Sequence, residues 1–233
     1  MEVDIKIIIP TYNASGSIRL LVEQIEAELC RFGFQIVLVD DASSDNTRDI
    51  ILSLANDHPI IDYCFIPKNK GQQAALLTGL KMISGPCNFV ITMDDDLQNP
   101  VEVIPLLIEK IKSGYDLVYA VPTVERNSCN PAPSPFRRLG SRFRDLLFDS
   151  FTNKPPGIKV SAFRIMTYEL AMKIAKSEKK YFYLSAEAFR YPIRAANVTY
   201  DYVPRLCGRS SYHFGKLLLI YWKLFLTYKL KLF

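Results

Sequence analysis

The chain has 233 residues, 49% hydrophobic and 23% charged, an ordinary globular balance for one large α/β domain or two small ones. Its net charge of +5, from 29 Lys and Arg against 24 Asp and Glu, is only mildly basic. Those basic residues are not interleaved with a base-stacking motif, which sets nucleic-acid binding aside. The two histidines, His58 and His213, are isolated in sequence, so neither a zinc site nor a histidine-based triad is supported.

Charge distribution says more than the total. Acidic residues concentrate before residue 120, while Arg and Lys crowd 137–144 and 205–231. A basic second half points to an anionic partner such as a phosphate or a membrane surface. The five cysteines, at 30, 64, 87, 129 and 207, form no C-x-x-C pair and read as reduced thiols of a cytosolic protein. The first six residues include the charged Glu2, Asp4 and Lys6 and lead directly into a strand, so no signal peptide is expected.

In chain order, Lys6 to Pro10 is a β-branched run read as a buried strand. Ser15 or Ser17 caps a helix to about Leu29, with Ile18, Leu21, Val22, Ile25 and Leu29 on one face. Gln35 to Val39 is a second strand, and Asp45 or Thr47 caps a helix carrying Ile50, Ile51 and Leu54. Asp62 to Ile66, Phe89 to Met93 and Leu117 to Ala120 are further strands, separated by helices over Gly71–Ile83 and Pro100–Ile111. Beyond residue 150 a strand-like stretch, Val160 to Met166, precedes a helix from Tyr168 to Ala175 and a strand from Ala196 to Val203.

Strand and helix alternate at intervals of roughly 30 residues, which predicts a mostly parallel, doubly wound sheet. Ligands of such sheets bind beyond the carboxyl ends of the strands. The polar segments fall there: Thr11-Tyr12-Asn13, Asp40-Asp41, Lys68 to Gly71 and Asp94 to Gln98. Asp94-Asp95-Asp96 is the most demanding of them, because adjacent carboxylates at the end of a buried strand raise one another's pKa values. A divalent cation relieves that repulsion, and Mg²⁺ takes one or two carboxylates together with substrate phosphate oxygens. This segment is therefore read as a metal site holding a nucleotide diphosphate.

Four segments resemble glycosyltransferase family 2: Ile8 to Asn13, Val37 to Asp45, Asn69 to Ala75 and Met93 to Pro100. They are most similar to its polyprenyl-phosphate branch, which includes dolichyl-phosphate mannose synthase and the undecaprenyl-phosphate sugar transferases. Weaker similarity extends to Ala162-Phe163-Arg164 and to Arg205 through Tyr212. The resemblance implies a GT-A fold over residues 1–212 and an inverting transfer from a nucleotide-sugar. It assigns Pro10, Tyr12 and Asp41 to the base and ribose, Asp94 and Asp96 to the ribose and metal, and Gln98 to the metal. Thr11, Asn13, Lys70, Gly71, Gln72 and Asp95 complete the expected nucleotide-sugar site, with Mg²⁺ or Mn²⁺ as the cofactor.

A polyprenyl phosphate acceptor needs no general base, because its second pKa is about 6 and it arrives ionised. It needs cations to hold it in line. Arg137, Arg138, Arg142 and Arg144, then Arg205 and Arg209, supply them, with the Ser210 hydroxyl as an added donor. Arg205 is expected to act directly in catalysis. The chain departs from its relatives at Ala120-Val121-Pro122, where Gly-x-Arg is common, at Ser161-Ala162, where an acid is common, and at Ser211, where Lys is common. Transfer to a saccharide or lipid-linked glycan hydroxyl is the enzymatic alternative, with Asp149, Glu187 or Asp201 as base. A non-catalytic nucleotide-sugar-binding scaffold in a membrane complex is the third reading.

Residues 122–136, rich in Pro, Ser and Asn, read as a mobile loop crossing the active edge, a lid or a connector. Over 213–233, Lys216, Lys223, Thr227 and Lys231 form one polar stripe on an otherwise apolar and aromatic helix. Its longest uncharged run is too short to span a bilayer. It reads as a basic amphipathic helix in the membrane interface, peripheral on the cytoplasmic face, with Tyr221 and Trp222 at headgroup level. The alternative is packing on its own domain, on a second copy or on a membrane partner subunit.

Overall fold

The computed structural model describes residues 5–123, 152–201 and 227–228. Strand–helix units follow one another as β1 (Ile5–Thr11), α1 (Ile18–Glu28), β2 (Phe34–Asp40), α2 (Thr47–Asp57), β3 (Ile61–Phe65), α3 (Gln72–Met82) and β4 (Phe89–Thr92). A 3₁₀ turn (Val101–Val103) then runs into α4 (Ile104–Lys112) and β5 (Leu117–Pro122). The later elements are β6 (Arg164–Thr167), α5 (Tyr168–Ala175), α6 (Leu184–Ala188) and β7 (Ala195–Tyr200).

The seven strands form one sheet in the order β3-β2-β1-β4-β6-β5-β7. β1 pairs in parallel with β2 and β4, β2 with β3, and β5 with β7. β6 is the exception, antiparallel to both β4 and β5. The expected mostly parallel α/β sheet is thus present, with one reversed strand inserted beside β4. Parallel strands are covered on both faces, which is why β1 reads as an unbroken apolar run rather than an alternation.

The alternating side chains of β1 feed two separate apolar layers. Ile5, Ile7 and Ile9 pack with Ile18, Leu21 and Ile25 of α1 and with Leu107 of α4. Ile8 packs on the other face with Leu76 and Leu80 of α3 and with Leu170 and Ile174 of α5. Gly79 permits the close approach of α3 to the sheet, since a Cβ there would lie 2.4 Å from Ile8 Cγ2. The periodic face predicted for α1 is the buried one, although Ser17 sits at the N-cap without a side-chain cap bond. Asp45 supports the start of α2 instead, its Oδ1 accepting from the Thr47 N–H at 3.1 Å and hydroxyl at 2.5 Å.

Thr227 and Tyr228 are helical, and Tyr228 is 9% exposed. The Lys179 ammonium lies 3.6 Å from its ring centroid, and the Tyr183 N–H donates to its hydroxyl at 3.3 Å. At Tyr228 the segment packs on its own domain. The remainder of 213–233, the loop beyond Thr123, and the arginines at 138, 142 and 205 lie outside the described residues. Among the described residues no helix is long and apolar enough to cross a membrane.

Candidate functional site

Four loops meet where β1, β2, β3 and β4 end. Beyond β1 the chain turns sharply through Asn13, whose φ of 54° is held by cross-loop hydrogen bonds. Its N–H donates to Ser43 Oγ at 2.8 Å, and its Oδ1 accepts from the Ser44 N–H at 2.8 Å. Ala14 N–H donates to Thr47 Oγ1 at 2.8 Å, so the loops after β1 and β2 are fastened as one unit. Pro10 is buried in the sheet opposite Val39, and Thr11 is 1% exposed with a hydroxyl that has no hydrogen-bond partner among the described residues. Tyr12 follows at 51% exposure and offers a ring face to the open edge.

The two aspartates after β2 divide their work. Asp40 is fully buried and pairs with Arg48 at 2.8 Å, while the Ser43 N–H donates to it. Asp41 receives the Lys70 N–H at 2.8 Å on one oxygen and the Gly71 N–H at 2.7 Å on the other. Gly71 takes φ 88° at the start of α3, a conformation that costs glycine little. Asp41, read as a ribose or base contact, therefore also fixes the loop that carries Lys70, Gly71 and Gln72. The Lys70 side chain is exposed at this edge.

Asp94, Asp95 and Asp96 leave β4 here and are each tied to a different neighbour. The Gln72 amide donates to Asp94 Oδ1. The Tyr12 N–H donates to Asp95 Oδ2 at 3.1 Å, and the Gln98 N–H donates to Asp96 Oδ1 at 3.2 Å. Leu97, at φ 60°, makes the turn that brings Gln98 back to the cluster. Burial pushes the Asp94 carboxyl up to about 7, and repulsion from Asp96 and then Asp95 adds to it. Arg164 and the Gln72 amide pull the other way. An oxygen set that repels itself this strongly fits a hard divalent cation. Among the described residues no three His, Cys, Asp or Glu side chains are grouped so as to hold a metal ion by themselves.

Arg164, which the Ala162-Phe163-Arg164 motif leaves without a role in the sequence, belongs to this site. It is 3% exposed and stands opposite Thr92, two residues before Asp94. Its Nε donates to Thr92 Oγ1 at 3.1 Å and to the Ala162 carbonyl at 3.2 Å, and its Nη1 donates to Ser185 Oγ at 2.6 Å. The guanidinium lies 5.5 Å from the Tyr119 ring centroid. A fixed positive charge therefore sits in the sheet directly behind the carboxylates. The signal for it in the sequence was an arginine inside an otherwise apolar strand.

The candidate bases for a hydroxyl acceptor are engaged elsewhere. Glu187 is 2% exposed and pairs with Arg190 at 2.5 Å and Lys179 at 3.3 Å. Asp201 accepts from the Thr123 hydroxyl at 3.0 Å, and Asp149, like Ser210, lies outside the described residues.

The sequence of residues 6–174 matches the model of glycosyl transferase family 2. Relatives from Yersinia enterocolitica and Yersinia pestis named undecaprenyl-phosphate 4-deoxy-4-formamido-L-arabinose transferase are 30% identical over 217 residues, covering 92% of this chain. The chain spans 64% of the length of those relatives. Among solved structures, a glucosyl-3-phosphoglycerate synthase from Mycobacterium tuberculosis, in complex with Mn²⁺, UDP and phosphoglyceric acid, superposes with TM-score 0.63 at 17% identity over 95% of this chain and 77% of its own. A mannosyltransferase from Pyrobaculum calidifontis with GDP-Man and Mn²⁺ gives 0.58 at 18% identity over 90% of this chain and 59% of its own. These likenesses carry the GT-A fold. On the extent of the family match and the level of identity, the chain belongs to glycosyl transferase family 2.

Proposed function

We propose that the protein is a divalent-metal-dependent, inverting glycosyltransferase that moves a sugar from a nucleotide-sugar to a polyprenyl phosphate at the cytoplasmic face of a membrane. The observation that carries this reading is the gathering of Asp94, Asp95 and Asp96 at the carboxyl edge, braced by Gln72 and Tyr12 and backed by buried Arg164. The names of the Yersinia relatives support the lipid phosphate acceptor.

Asp94 and Asp96, with Gln98, would hold Mg²⁺ or Mn²⁺. Bound there, the ion supplies charge neutralisation for the departing diphosphate oxygens. The chain's own residues do the rest. The Tyr12 ring and the neighbouring polar loop receive the base and ribose, and Asp41 keeps the Lys70–Gln72 loop in register with them. The acceptor phosphate arrives ionised, so its oxygen attacks the anomeric carbon without a proton acceptor, as the bond to the diphosphate breaks. The engagement of Glu187 and Asp201 in other contacts agrees with a reaction that requires no base. Arg138, Arg142, Arg205 and Ser210 are assigned to the acceptor phosphate, Arg205 also with a direct catalytic role. The 213–233 segment is assigned to the membrane surface, a second copy or a partner subunit.

The reading is tested by label transfer from UDP-, GDP- and dTDP-sugars to short-chain polyprenyl phosphate with Mg²⁺, Mn²⁺ or EDTA. A metal-dependent, lipid-extractable product from one donor is expected. Donor hydrolysis without a lipid product would move the acceptor to a saccharide hydroxyl, and neither product would favour a non-catalytic scaffold.

A further inference from the structure

β6 runs against β4, so it starts at the carboxylate edge with Arg164 beside Thr92 and ends across the sheet with Thr167 beside Phe89. α5 follows at once and returns the chain toward the edge. The residues after it are there: the Leu184 N–H donates to Gln73 Oε1 at 3.0 Å, at the start of α3, and Ser185 Oγ accepts from Arg164 at 2.6 Å. Tyr183, one residue earlier, donates its N–H to the Tyr228 hydroxyl at 3.3 Å. At Tyr228, whose ring centroid lies 3.6 Å from the Lys179 ammonium, the 213–233 segment is thus fastened beside the carboxylate edge.

The surface around that seat is basic. Lys173, Lys176 and Arg190 line a shared cleft of about 410 Å³ beside α5 and α6. The buried carboxylate there, Glu187, is neutralised from within by Lys179 and Arg190. Between residues 173 and 190 the exposed charged side chains are Lys173, Lys176, Lys180 and Arg190, against Glu178 alone. Tyr181, next to Lys180, keeps its ring 37% exposed. The 213–233 segment adds Lys216, Lys223, Lys229 and Lys231 and carries no acidic residue. Lysines beside an exposed aromatic fit an anionic bilayer, where the cations meet lipid phosphates and an amphipathic ring sits among the headgroups. An acidic protein surface would match the lysines but not the apolar, aromatic body of the adjoining segment, which suits a bilayer.

We propose that this corner of the domain, with Lys176, Lys180 and Tyr181 around the Tyr228 seat, is the face that rests on an anionic lipid bilayer and holds the carboxylate edge at headgroup level. As an orientation for catalysis it rests on the proposed transfer to a polyprenyl phosphate, whose phosphate lies at that level.

The test sediments the full chain with phosphatidylcholine vesicles that contain or lack phosphatidylglycerol. Two double variants of equal charge change separate a face from net charge. One is Lys176→Glu with Lys180→Glu. The other is Arg31→Glu with Lys112→Glu, at residues that precede β2 and β5 at the opposite end of the sheet. All four side chains are exposed, so both proteins should fold. Binding to phosphatidylglycerol vesicles is expected to weaken at least about fivefold in the first and less than about twofold in the second. Transfer should fall in parallel when those vesicles carry the acceptor, and stay at the wild-type level when detergent carries it. Equal weakening of the two double variants, no weakening of the first, or wild-type binding indifferent to phosphatidylglycerol overturns the proposal. The expected binding pattern without lipid product from the wild type, in vesicles or detergent, would uphold the bilayer face and remove the transfer reading.

Discussion

Arg164 is paired with hydroxyl and carbonyl oxygens, at Thr92, Ala162 and Ser185, rather than with a carboxylate of its own. Its charge is thereby left to act on the aspartates at the end of β4, where it opposes the rise in the Asp94 pKa. Arg164→Met removes a charge that helps keep Asp94 ionised, so the fall in Mn²⁺ affinity between pH 8 and pH 6 should steepen, and Arg164→Lys should recover part of the wild-type profile. Titration followed by manganese paramagnetic resonance reads this directly. An unchanged pH profile of Mn²⁺ affinity with a lowered melting temperature would make Arg164 a strut only. Asp94 gives a second prediction through its displaced pKa. In the unfolded chain its carboxyl ionises near 3.8, but in the metal-free fold it holds its proton to about 7. The metal-free fold therefore loses stability from this group as pH rises through that window, and has lost all of it above the folded value. A divalent ion binds the ionised form and reverses the loss. The melting-temperature gain from Mn²⁺ over EDTA should be larger at pH 8 than at pH 5.5, and a gain independent of pH would contradict this account.

At the scale of elements, the α/β units up to β5 were legible because each carries its own local signal. The apolar period of α1, the β-branched runs of β1 and β2, and the polar segments that end them require no knowledge of the rest of the chain. β6 was not legible in the same way. Four residues have the same alternation whichever way the strand runs, and its antiparallel insertion between β4 and β5 is fixed by pairing across the sheet. That register is also what sets Arg164 beside Thr92, so its role could not be read locally. Asp41 shows a related limit: a carboxylate after a strand announces a site, but its hold on Lys70 and Gly71 appears only in three dimensions. The seam between α3 and β1 yields an element-level prediction. Gly79→Ala improves helix propensity by about 1 kcal/mol, yet its methyl meets Ile8 at 2.4 Å, and forcing the two apart costs about 1–3 kcal/mol. The urea midpoint should fall. A rise would mean that the layer relaxes more readily than its packing indicates.

For the whole molecule, one sheet edge gathers contributions from loops far apart in sequence, and the same frame leaves a second polar cleft beside α5 and α6. The carboxylate edge fits a divalent cation by charge, and the proposed ionised acceptor would draw on the basic second half of the chain. Tyr228, packed against Lys179 and Tyr183, ties part of the 213–233 segment to this body. The central claim is that the carboxylate edge drives metal-dependent transfer to a lipid phosphate. It is tested most directly by measuring lipid-extractable product from wild-type protein and Asp96→Ala side by side, with Mn²⁺ and short-chain polyprenyl phosphate. The account predicts product from the wild type and a loss of at least a hundredfold in the variant, with the melting temperature in EDTA little changed. Full transfer by Asp96→Ala would contradict it.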